Sequence, residues 1–168
     1  MSLALAAVGA VVAALLETSV APYLLIGGVK PDVVLICAIV YTVTVGAEGG
    51  FIWAFFGGLF LDMLMAPSRP VGGTVVALLV ATGLAAAAAR FLGRSRVATA
   101  VGATFALTFV YQAVFAGLLA ATEGGFPLPD PLGTILPIAL ENAIVALPAA
   151  AVARWAWLRF GVHDRIEW

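Results

Sequence analysis

The sequence predicts an all-α, polytopic integral membrane protein, a compact bundle of about six transmembrane helices forming one domain over residues 1–168. Three observations carry that expectation. The chain is 64% hydrophobic and only 10% charged, with a mean hydropathy of +1.15, whereas soluble domains carry about 25% charged residues to cover their cores. Its apolar residues come in unbroken runs such as Val71 to Ala89, not in the alternating pattern of about 10 positions that marks an outer-membrane strand. Its 8 Lys+Arg and 9 Asp+Glu nearly cancel, for a net charge of -1. The same composition excludes disorder and offers no basic footprint for nucleic acid. A single cysteine, Cys37, excludes a disulfide framework.

The first span is expected from about Leu3 to Ile26, interrupted by Glu17 and Pro22. No Lys or Arg precedes it and it continues past Glu17, so it is read as a span and not as a cleaved signal peptide. The second opens at Pro31-Asp32 and runs to about Gly46, with Pro31 suited to a first helical turn because it has no N–H to leave unsatisfied there. The third covers Gly50 to Ala66 and stops at Pro67-Ser68-Arg69-Pro70; the fourth is Val71 to Ala89, ended by Arg90. The fifth runs from about Val97 to Ala121, before Glu123-Gly124-Gly125 and a proline-rich stretch. The sixth is Leu132 to Leu158 and contains Pro137 and Pro148. Spans two and three are short for a bilayer core of roughly 30 Å.

Lys and Arg in the loops set the orientation. Arg90, Arg94 and Arg96 fall between spans four and five, and Arg154, Arg159 and Arg165 at the C-terminal end. With six spans those two regions share a side, which places both termini in the cytoplasm. Lys30 and Arg69 then lie outside, each beside a span end.

Ionisable residues within spans are costly in lipid and are usually paired or functional. Glu17, Asp62 and Glu141 are such residues, and at 1.5 Å per residue all three fall in the outer half of the membrane, toward Lys30, Asp32 and Arg69. One reading is a polar cluster of Glu17, Asp32, Asp62 and Glu141 that binds a partner, ligand or ion from outside. The other is that these carboxylates cap helix ends, pair with Lys30 and Arg69, or reach interfacial water. An enzyme is not expected. The chain has one histidine, His163, and no GxSxG, HExxH, P-loop or dinucleotide-binding motif. Neither a metal site nor a cofactor site can be assembled from these residues.

About a fifth of the chain is alanine, and there are 18 glycines. In span three, Ala54, Gly57 and Gly58 lie among bulky Phe51, Trp53, Phe55, Phe56 and Phe60. One face of that helix is therefore thin enough for close helix packing, while the other meets lipid or a partner helix.

Several features in order look like a known family. Lys30-Pro31-Asp32 opens a span; Ala54-Phe55-Phe56-Gly57-Gly58-Leu59-Phe60-Leu61-Asp62 follows; Pro70-Val71-Gly72 starts the next span; Glu141-Asn142 and Pro148 stand in the last. This resembles MreD, the rod shape-determining membrane protein, over nearly the whole chain, with Ala54 where the family pattern has a glycine. The resemblance implies a fold similar to the S components of energy-coupling-factor transporters. It implies a non-enzymatic scaffold of the cell-wall elongation machinery that binds MreC directly. Through MreC it implies links to a class B penicillin-binding protein, RodA and MreB, with a homo-oligomer as an option within the assembly. Pro31, Asp32, Gly58, Leu59, Asp62, Asn142 and Pro148 are the matching positions, none with a catalytic role. The alternative is a vitamin-binding S component, in which an Ala-xxx-Ala face such as Ala6, Ala10 and Ala14 meets an energising module.

The orientation is testable on its own. A tag fused after Trp168 is expected to resist protease added outside intact cells; cleavage there would overturn the assignment of both termini to the cytoplasm.

Overall fold

The computed structural model describes residues 3–23, 29–65, 72–91, 96–123 and 131–160. They form six α-helices: α1 Leu3–Ser19, α2 Val33–Thr44, α3 Ala47–Leu64, α4 Gly73–Phe91, α5 Arg96–Glu123 and α6 Pro131–Phe160. A single 3₁₀ turn, Ala21–Tyr23, follows α1 where Pro22 ends the helical run. Five helices are long and apolar enough to cross a membrane, and the protein is a polytopic membrane bundle. The outward faces carry large apolar side chains, among them Leu5, Val8 and Val12 on α1 and Phe51 and Phe55 on α3. The interior is lined largely by alanine, with Ala10, Ala14, Ala38, Ala54, Ala77 and Ala146 all at 0% exposure.

The exception among the six is α2. Its 12 residues span about 18 Å at 1.5 Å per residue, well short of a bilayer core of about 30 Å. It is a buried central helix, and α1, α3, α4, α5 and α6 all pack against it. Nine of its twelve side chains are buried. A helix that is apolar on every side belongs in such a place, so the short second span expected from the sequence is the helix at the centre of the bundle. The other helices surround it in the order α1, α3, α4, α5, α6, with no substantial packing between α1 and α6. At that gap Cys37 and Tyr41 of α2, Trp53 of α3 and Pro148 of α6 line an apolar groove of about 420 Å³.

Two boundaries differ from expectation. Pro31 lies before α2 and not in its first turn, because Asp32 is the N-cap and Val33 the first helical residue. Helix α3 starts at Ala47, directly after the Val45-Gly46 turn, so the glycines Gly49 and Gly50 are inside it. Helix α6 continues through Pro137 and Pro148, both on its exposed side. A missing N–H is tolerated in a membrane helix when the neighbouring turns hold the ladder.

Close packing of α3 depends on its glycines. A Cβ on Gly57 would come within 2.5 Å of Val34 Cγ1 in α2. On Gly58 it would lie 2.8 Å from Val75 Cα in α4. Gly49 and Gly50 face Tyr41 and the Thr42 hydroxyl of α2 too closely for any Cβ. Helix α3 thus presents small residues to two neighbours at once, while Phe51, Phe55 and Phe56 face outward. The contact at Gly58 is with backbone, which cannot swing aside.

Gly58→Ala is therefore expected to lower stability by about 1–3 kcal/mol, the usual scale of overpacking. At Gly102 a Cβ meets nothing within 4 Å, and Gly102→Ala is expected to be neutral or stabilising by up to about 1 kcal/mol. Denaturant unfolding in detergent micelles compares the two; equal effects would show that the Gly58 contact does not limit the packing of α3 on α4.

Candidate functional site

One set of buried polar residues meets where α2 begins. The first turn of any helix leaves N–H groups without intrahelical partners, and within an apolar interior water cannot supply the acceptors. The N-cap residue Asp32 makes no side-chain capping bond of its own. A carboxylate from another helix takes that role: Val34 N–H donates to Glu17 Oε2 at 2.8 Å. Glu17 stands in the last turn of α1 and is 2% exposed. Its negative charge also lies at the positive end of the α2 dipole.

Asn142 of α6 secures the adjacent residue. Its Oδ1 accepts from the Asp32 N–H at 2.9 Å, and its Nδ2 donates to Asp32 Oδ2 at 3.2 Å. The same amide group donates to Thr108 Oγ1 at 3.2 Å, and the Thr108 hydroxyl donates onward to the Thr104 carbonyl at 2.7 Å. One side chain thereby joins α2, α5 and α6, and it is completely buried. Glu141, its neighbour in α6, is buried as well, at 3% exposure.

This junction lies deep. At 1.5 Å per residue Asn142 is about 16 Å along α6 from Pro131, and Thr108 about 22 Å along α5 from Glu123. The far end of α2 is level with Arg90 of α4, since Val45, Gly46 and Arg90 line one cavity. The α2 start therefore lies about 18 Å from that end. Asp32, expected toward the outer face, is half-buried at this level and bonded to Asn142.

Asp62 is held separately. It is at 0% exposure, and its carboxylate accepts from Gly72 N–H at 2.7 Å and Thr74 N–H at 3.3 Å. It thus caps the start of α4 from the last turn of α3. Gly72 has φ 93°, a left-handed conformation that glycine adopts without strain, and this turn brings its N–H onto the carboxylate.

The four acidic residues singled out in the sequence thus do not form one cluster: Glu17 and Asp32 are held at the α2 start, Asp62 at the α4 start, and Glu141 is buried in α6 next to Asn142 in the chain. Capping is the role the geometry gives Glu17 and Asp62. Lys30 is half-buried beside the α2 entry; Arg69, Arg94, Arg165 and His163 lie outside the described residues. Among the described residues no group of three His, Cys, Asp or Glu is arranged to hold a metal ion. Ala54, Gly57 and Gly58 are all buried within the bundle.

Two residues of this junction are not among the carboxylates that the sequence marks as candidates. Asn142 stands out in the sequence only through the family resemblance, although an amide within an apolar run already requires partners in lipid. Thr108 was not singled out; its signal is the i, i+4 spacing from Thr104, which puts two hydroxyls on one face of α5.

Compared with protein-family models, with curated proteins and with solved structures, the chain gives no match.

Removing the acceptors at the α4 start tests the capping role. Asp62→Leu is expected to cost about 1–3 kcal/mol for the buried N–H groups it abandons, and Asp62→Asn to recover part of that because its side-chain oxygen still accepts from Gly72. A double-mutant cycle between Asp32 and Asn142 is expected to show a coupling of about 0.5–3 kcal/mol. Unfolding midpoints in micelles measure both, and additive effects at Asp32 and Asn142 would contradict their direct contact.

Proposed function

We propose that the chain is an MreD-like scaffold of the bacterial cell-wall elongation machinery, non-catalytic, and that it binds a single-span MreC-like protein in the plane of the inner membrane. Links to a class B penicillin-binding protein, RodA and MreB follow through that partner. Both termini lie in the cytoplasm in this reading. The observation that carries it is the contact between Asp32 and Asn142, which are 110 residues apart. Both were identified by the resemblance in separate parts of the sequence, and they meet in one hydrogen-bonded pair. Gly58 and Asp62, the other distinctive positions, likewise sit at helix junctions, against Val75 and at the α4 start. Positions quoted from a family pattern that prove to be the joints of the bundle support membership of a common fold.

The vitamin-binding alternative relied on a free alanine face of α1. Ala6, Ala10 and Ala14 are at 1%, 0% and 0% exposure, and α1 packs on α3 and α2. That stripe is consumed within the bundle, and the alternative loses the surface it needs.

Co-expression with an MreC-like protein followed by affinity purification on the chain in mild detergent tests the proposal. A stable complex that survives size exclusion is the expected result. A chain that purifies alone while carrying a tightly bound vitamin would sink the scaffold reading.

A further inference from the structure

Two cavities meet at the end of the bundle where α2 turns into α3. One, of about 280 Å³, is lined by Thr42, Gly46, Thr99 and Arg90. The other, of about 330 Å³, is lined by Phe51, Gly83, Ala87, Phe91 and, again, Arg90. Ala47 and Ala86 also belong to both, so the chambers adjoin, with the guanidinium-bearing residue at their boundary. Arg90 is exposed, and no acidic group among the described residues pairs with it. Glu48, in the first turn of α3, lines neither chamber.

The two chambers differ in chemistry. The first offers a guanidinium, the Thr99 hydroxyl and the positive end of α3, which begins at Ala47; the Thr42 hydroxyl is already committed to the Ala38 carbonyl at 2.6 Å. A guanidinium presents a planar set of donors that matches a phosphate through two parallel hydrogen bonds. The second chamber is walled by aromatic and small apolar residues and takes hydrocarbon. A ligand that fills both must carry an anionic phosphate on an apolar chain, and a free phosphate ion leaves the second chamber unused.

We propose that this paired cavity binds an anionic phospholipid, its phosphate on Arg90 and Thr99 and the first part of one acyl chain in the Phe51–Phe91 chamber. The site is independent of the scaffold reading, since it needs only a membrane around the bundle. It holds α4, α5 and the α2–α3 turn to a lipid at one end, opposite to the carboxylate junction.

Gly83 permits a clean test of the apolar half. A Cβ there lies 4.0 Å from Phe51 Cζ and meets nothing closer, so the side chain of Gly83→Leu starts without a backbone clash and competes for the chamber that Gly83 lines. The purified full chain in a neutral detergent is titrated with phosphatidylglycerol and phosphatidylcholine of matched acyl chains and read by native mass spectrometry. The wild-type chain is expected to favour phosphatidylglycerol by about fivefold, the scale of one basic residue at an anionic lipid. Arg90→Gln should abolish that preference, Gly83→Leu should weaken both lipids, and Lys30→Gln, at the other end, should change neither. Equal binding of the two lipids by the wild type would overturn the proposal. So would an Arg90→Gln chain that keeps the preference, a Lys30→Gln chain that loses it, or complete displacement of phosphatidylglycerol by millimolar inorganic phosphate.

Discussion

The start of α2 lies inside an apolar bundle, and its unsatisfied N–H groups must find acceptors there. An unpaired amide at that depth costs several kcal/mol, because no water competes to solvate it. The chain meets the requirement with groups from other helices: Glu17 accepts from Val34, and Asn142 accepts from Asp32. Each acceptor draws its own helix to the same point. Helix α1 is fixed at its last turn, α6 near its middle, and α5 through Thr108. The depth of the second helix thus sets the relative heights of three others.

A helix enclosed by five neighbours imposes a second constraint, on side-chain volume. Where the encircling helices approach α2, their inward faces must be thin, and the chain supplies Ala14, Ala77 and Ala146 together with Gly50 and Gly57. Hydroxyls fit the same space when they bond to their own helix, as Thr42 and Thr44 do to the carbonyls of Ala38 and Val40. Without a hydrophobic force between helices in lipid, such contact area and such bonds carry the association. The encircling set remains open between α1 and α6, so part of α2 contributes to a groove on the side of the bundle.

Much of this was legible in the sequence, and what was hidden was hidden for a physical reason. Apolar runs and their lengths reveal helices, but a run that is apolar on every side looks the same whether lipid or protein surrounds it. Only the shortness of Val33–Thr44 distinguishes the central helix from the helices around it. Gly57 and Gly58 announce a close approach, whereas their partners, Val34 and Val75, follow only from the fold. Glu17 and Asp62 stand out because burying a carboxylate is costly, yet the partners they show are backbone N–H groups, which no residue letter marks. Asn142 was visible as a lone amide, but its pairing with Asp32 across 110 positions was not. The groups that titrate were thus easier to find than the groups they serve.

That distinction moves the search for function away from the residues that first attract it. A carboxylate kept within a membrane bundle is commonly read as an ion or ligand site. Here Glu17 and Asp62 each accept backbone N–H groups at a helix start, and their charge opposes the positive end of a helix dipole. Their burial is thereby offset without any external partner. A residue engaged in this way can be essential to the protein while touching nothing that the protein binds, and its loss would abolish partner binding only by loosening the bundle. Recognition is better sought on surfaces that folding does not use: the outward aromatic face of α3, the groove beside α2, and the pair of chambers at Arg90. The last is distinct in kind, because a charge with no acidic partner among the described residues is a feature that the stability of the bundle does not require.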